Sequence, residues 1–139
     1  MTDSRNAATA ALVLRLSLGT MFIAHALLKY FVFTLPGTAK FFESIGLPGV
    51  LGYATFAVEL VGGILLVAGV RTRVVAMTLV PVLLGATWAH AGNGWLFSTP
   101  NGGWEYPAFW TITLIVQALL GDGAYALRPS TSQPQLRTA

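Results

Sequence analysis

The chain has 139 residues, 55% hydrophobic and 9% charged, with a formal net charge of +3 and a mean hydropathy of +0.68. So few charges cannot cover the surface of a soluble domain this small. The absence of cysteine excludes an internal dithiol relay, a thiolate metal site and structural disulfides. No basic patch interleaved with aromatics is present, so nucleic acid is not an expected partner.

The apolar residues gather into runs, about Ala8 to Phe33, Leu51 to Val70, Val74 to Ala91 and Tyr106 to Leu120. Hydrocarbon requires ~20 helical residues per crossing, and a lone strand would leave its backbone groups unpaired there. The expected fold class is therefore all-α: an integral membrane four-helix bundle in contact with the lipid bilayer. It would form one domain, 1–127, with spans about 8–33, 51–70, 74–91 and 104–124. A flexible tail, 128–139, rich in Ser, Thr, Gln and Pro, would follow. The last span is short and would borrow Trp104 and Ala124 to Leu127 at its ends.

The first run carries Arg15, His25 and Lys29 and exceeds the apolar core of a secretory signal. After it, Pro36-Gly37 turns the chain. Phe41, Phe42 and Ile45 would share a face if the next segment is helical, placing it along the membrane interface. Small residues on the spans (Gly19, Gly62, Gly63, Gly69, Gly85, Ala86, Ala89) are expected at close helix contacts. Pro81 is expected to kink the third span. The second outer loop, Gly92 to Gly103, reads as irregular. Arg5, Arg71, Arg73, Arg128 and Arg137 fall on one side and only Lys40, with Lys29 near the boundary, on the other. The positive-inside rule then places both termini in the cytoplasm.

Charges inside apolar spans are costly and therefore informative. Arg15, Gly19, Phe22, His25, Ala26 and Lys29 form one helical stripe that should face the interior. Counted at about 1.5 Å per residue, Arg15 lies ~10 Å and Glu59 ~16 Å from the cytoplasmic ends of their spans. Arg15 and Glu59 are thus the first expected pair, with Gln117 completing the network. An outer cluster of His25, Lys29, His90 and Glu105, roofed by Trp95 and Trp104, is the second. Each feature has a plainer reading. The pair can be purely structural, Lys29 and Glu105 can reach headgroups, and the histidines can be satisfied hydrogen-bonding groups. Haem held by His25 and His90 is an alternative, whereas a metal site lacks a third placed ligand.

The chain resembles the DoxX family of small bacterial membrane proteins. The resemblance rests on Arg15-Leu16 with Gly19, His25-Ala26-x-x-Lys29, Phe42 with Gly46-Leu47-Pro48, and Glu59-Leu60-x-Gly62-Gly63. It continues through Leu66-x-x-Gly69-x-x-Thr72-Arg73, His90 and Gly121-Asp122-Gly123-Ala124-Tyr125, covering about residues 11 to 127. Ala26 stands where the family often has Gly. The resemblance implies a four-helix, multi-pass protein of the bacterial inner membrane. It also implies a link to oxidoreduction, since the DoxD subunit of a thiosulfate:quinone oxidoreductase is related. Three functions follow as expectations. The first is an accessory or subunit in quinone-linked redox chemistry, with a soluble or membrane redox partner supplying electrons. The second is a scaffold or a binder of lipid or another small molecule. The third is a small transporter or proton path, which in four short spans would call for a homo-oligomer.

Overall fold

The structure is a computed structural model and describes residues 2–130. It contains α1 (Thr2–Phe31), α2 (Leu35–Ser44), α3 (Val50–Ala68), α4 (Thr72–His90) and α5 (Glu105–Leu120), with a 3-10 turn at Ala91–Asn93. Among the described residues the only β pairing is an isolated bridge between Val70 and Arg128. Three helical stretches are long and apolar enough to cross a membrane: Asp3–Phe31, Val50–Ala68 and Thr72–Asn93. At 16 residues, α5 measures only ~24 Å, short of the ~30 Å hydrocarbon core.

The expected helical continuation of span 4 through Ala124 to Leu127 does not form. Gly121 and Gly123 adopt φ values of 89° and 71°, a region that side chains with a Cβ disfavour. The chain therefore leaves the helix and folds back. Ala124 N–H donates to the Ala8 carbonyl at 3.0 Å, and Leu127 and Arg128 N–H donate to the Ala68 and Gly69 carbonyls. Arg71 N–H in turn donates to the Arg128 carbonyl at 2.7 Å. The start of α1 and the end of the described chain thus meet at one end of the molecule. Arg128 and Ser130, expected in a flexible tail, are hydrogen-bonded; the rest of that tail lies outside the described residues.

α1 packs on α3, α3 on α4, α4 on α5, and α5 back on α1. Their shared interior holds Leu18, Phe22, Leu66, Leu79, Leu83, Trp110 and Leu114. Glycine sets the α1–α3 spacing: a Cβ on Gly19 would stand 2.8 Å from the Gly63 carbonyl oxygen, and one on Gly63 2.8 Å from that of Gly19. Gly62 likewise leaves room for Leu79. A Cβ on Gly85 would meet no atom of another described segment within 4 Å, so Gly85 is not the packing position expected of it. α4 runs on through Pro81, which can give the Met77 carbonyl no hydrogen bond.

α2 begins with the Thr34 hydroxyl accepting from Gly37 N–H at 3.1 Å and packs mainly on α3. Its buried face is Thr38 and Ala39, seated on Gly52. Of the three residues expected to share an interface-facing side, Phe41 is exposed and Phe42 and Ile45 are half-buried. The connection between α4 and α5 is irregular, as expected, and is tied together by hydrogen bonds. Asn93 Nδ2 donates to the Asn101 and Gly102 carbonyls, and the Thr99 hydroxyl to the Asn93 carbonyl at 3.0 Å.

Candidate functional site

The interior stripe of α1 forms as its spacing predicts. Arg15, Gly19, Phe22 and Ala26 are buried, and His25 and Lys29 half-buried. α1 and α3 run antiparallel with Gly19 beside Gly63. One turn toward the C-terminus of α1 therefore matches one turn toward the N-terminus of α3. That register sets Arg15 against Gly69; Lys29 lies further along α1 than the level of Glu59, and its long side chain spans the difference.

Lys29 Nζ donates to Glu59 Oε2 at 2.7 Å, with 18% and 7% of the two side chains exposed. This corrects the expected Arg15–Glu59 pair and the reading of Lys29 as a headgroup anchor. The pair joins α1 to α3, and its short charge-assisted hydrogen bond offsets part of the cost of removing both charges from water.

His25 lies one turn along α1 from Lys29. Its Nδ1 is 2.9 Å from the Met21 carbonyl oxygen, which can only accept, so Nδ1 carries the proton. Nε2 of the neutral ring is left with an unshared lone pair. The imidazole stands edge-on to Trp110 at 4.8 Å between centroids and stacks on Tyr106 at 6.2 Å. Trp110 is 4% exposed, and its indole N–H has no hydrogen-bond partner. Tyr106 and Trp110 were not among the expected site residues. Their i, i+4 spacing on α5 was the available signal, since such positions share a helix face.

The other expected members of the outer cluster are held elsewhere. Glu105 Oε1 accepts from Phe97 N–H at 3.0 Å, which binds it to the loop between α4 and α5. His90 Nδ1 is 2.8 Å from the Ala86 carbonyl oxygen, and its ring faces Gly102. Trp95 and Trp104 contact each other edge to face at 4.7 Å. Their backbones also tie the loop to the start of α5, Trp104 N–H donating to the Gly94 carbonyl and Glu105 N–H to the Trp95 carbonyl. Among the described residues no three His, Asp or Glu side chains converge as metal ligands would.

Arg15 marks a separate polar region at the opposite end. It is 1% exposed; Nη2 donates to the Ala124 carbonyl at 3.2 Å, while Nε and Nη1 have no partner. Gln117, expected to join Arg15 and Glu59, instead donates to the Gly121 carbonyl at 2.8 Å. Asp122 organises this end. Its carboxylate accepts from Thr72 N–H at 2.9 Å, Ser130 N–H at 2.8 Å and the Ser130 hydroxyl at 2.9 Å. Arg71, at the N-cap of α4, makes no side-chain cap, so Asp122 supplies one from the far end of the chain. Burial pushes the Asp122 carboxyl up, but the hydrogen bonds from Ser130 and Thr72 together outweigh it and hold it below the usual carboxylate range.

A helical membrane protein with a buried ion pair, a half-buried histidine and an aromatic wall is the class these features define. A sequence model described as DoxX matches residues 10–92, and the chain belongs to the DoxX family. The matched region includes Arg15, His25, Lys29, Glu59 and His90, whereas Trp110 and Asp122 lie beyond it. The chain is also similar to a Bacillus subtilis (strain 168) protein named "Putative oxidoreductase CatD". The two are 36% identical over 118 residues, covering 85% of this chain and 84% of that protein. No solved structure matches.

Proposed function

We propose that this DoxX-family protein is an accessory or subunit in quinone-linked redox chemistry at the bacterial inner membrane. In this reading α1, α3, α4 and α5 are four spans of a single-domain bundle with both termini cytoplasmic. The bias of arginine toward the end bearing Thr2 and Arg128 supports that orientation. The name of the Bacillus subtilis relative supports the oxidoreductase class.

The observation that carries the proposal is the unpartnered, buried Trp110 N–H on a ring in edge contact with His25. A quinone head is flat, apolar on its faces and ringed by carbonyl acceptors. Tyr106 and Trp110 offer aromatic surface, the indole N–H a donor, and His25 Nε2 a base. A quinone takes two electrons and two protons on reduction to the quinol, and the electrons come from a redox partner. His25 exchanges protons through Nε2 while the Met21 carbonyl holds the ring's tautomer. The Lys29–Glu59 pair positions His25 on α1 against α3 and sets the local charge.

The test is equilibrium binding of a short-chain quinone to the purified protein in lipid nanodiscs. Trp110→Phe and His25→Ala are each expected to weaken binding about tenfold, the scale of one lost hydrogen bond in a dry site. Wild-type protein that binds no quinone, or variants that bind as wild type does, would overturn the proposal.

A further inference from the structure

Beside the return loop, at the arginine-bearing end, lies an open cleft of about 500 Å³. Ala7, Ala8 and Ala11 of α1 form a smooth apolar wall. Arg73 of α4, Leu120 at the end of α5 and Asp122 contribute the rest of the lining that matters chemically. The cleft is distant from His25 and plays no part in the redox reading.

Arg73 is held in place without being used up. Its Nη1 donates to the Ala118 carbonyl at 3.1 Å, and its guanidinium lies against Gly121. Among the described residues Nε and Nη2 make no hydrogen bond, and Arg73 is exposed. A guanidinium anchored by one nitrogen and open at the others suits a phosphate oxygen. Asp122 in the same wall would repel an anion, but three donors already engage its carboxylate. Arg15 behind it supplies a compensating charge.

Helix length gives a second, independent argument. α5 stops at Leu120, ~24 Å from its start, while α1 continues past the cleft to Thr2. A span shorter than the hydrocarbon thickness draws the adjoining headgroups inward. The end of α5 is where the cleft lies. Below Leu120, exposed Val116 and Leu119 extend an apolar surface along α5, the direction in which an acyl chain would run.

We propose that this cleft binds the phosphodiester headgroup of an anionic phospholipid. Arg73 grips the phosphate, and the alanine wall with Leu120 receives the glycerol and the first methylenes. Basic clefts among membrane helices are the usual hosts for such headgroups.

Retention of phosphatidylglycerol against phosphatidylcholine, measured by native mass spectrometry after extraction into detergent, tests the proposal. Wild type should favour phosphatidylglycerol. Arg73→Gln should lose about fivefold in that preference, while Arg5→Gln, an equal loss of charge at a residue that does not line the cleft, should change it less than about twofold. Ala8→Phe fills the cleft without altering charge and should abolish the preference, which keeps the test decisive if Arg73→Gln fails to fold. Equal losses in the Arg5 and Arg73 variants would mean a diffuse surface charge and would overturn the site. So would unchanged retention in Ala8→Phe, or full displacement of the lipid by millimolar glycerol phosphate, which would indicate a site for soluble phosphate esters.

Discussion

The two polar ends of this molecule solve the problem of buried charge differently. Near the C-terminal end of α1, Lys29 and Glu59 neutralise each other directly across two helices at 2.7 Å. At the opposite end, Arg15 reaches a single backbone carbonyl, and its neighbourhood is completed by a loop that returns from the far end of the chain. The first arrangement needs only two packed helices in register. The second exists only once α5 is in place and Asp122 has capped α4. Direct pairing is therefore a property of the α1–α3 seam, while the Arg15 region depends on the whole chain.

The largest effect should come from breaking the direct pair. Glu59→Ala leaves Lys29 uncompensated among apolar helices and is expected to cost about 3–5 kcal/mol. Thermal unfolding in detergent measures it, and Lys29→Met combined with Glu59→Leu should recover most of the loss. If Glu59→Ala melts like wild type, the contrast between the two ends collapses.

Next in size is Gly63→Val, which drives a branched side chain into the Gly19 carbonyl and parts α1 from α3. It should cost about 1–3 kcal/mol and loosen both ends together, seen as faster amide exchange in α1 on either side of Gly19.

Asp122→Ala tests the loop-built end alone. Loss of the α4 cap should cost about 1–2 kcal/mol, with exchange rising around Thr72 and Ser130 but not around Lys29. Its pH dependence has a definite sign. Folding lowers the Asp122 pKa, so its stabilisation is complete above the ordinary carboxylate range and is lost as pH falls through the lower folded value. Asp122→Asn should flatten that acid limb of an unfolding-versus-pH curve.

The smallest change is expected at Gly85, which meets no neighbour. Gly85→Ala should leave stability unchanged or raise it by up to about 1 kcal/mol through helix propensity. A marked loss there would reveal a packing partner on this face of α4.

Much of this organisation was legible in local spacing. The interior stripe from Arg15 to Lys29 follows from 3.6 residues per turn and the cost of exposing charge to lipid. The four apolar runs correspond to α1, α3, α4 and α5. Pairing was not legible, because counting depth from the ends of apolar runs fixes neither where a helix begins nor how two helices slide. α1 starts at Thr2 rather than near Ala8, and the Gly19–Gly63 contact sets the slide. That slide carries Glu59 toward the C-terminal half of α1, within reach of the Lys29 side chain and away from Arg15. Tyr106 and Trp110 were illegible as site residues for a related reason: aromatic residues in an apolar helix look like core until a polar neighbour stands beside them.

The sequence by itself determined that the chain is helical and apolar, that α1 turns its charges inward, and that its motifs are those of the DoxX family. Those properties depend on composition and on residues within a few turns of one another. Only the tertiary structure decided that Glu59 belongs to Lys29, that His25 rests on α5, and that Asp122 caps a helix fifty residues away in sequence. Partner choice between helices is a matter of register, and register is set by the closest backbone approach, here two glycines whose missing side chains let α1 and α3 touch.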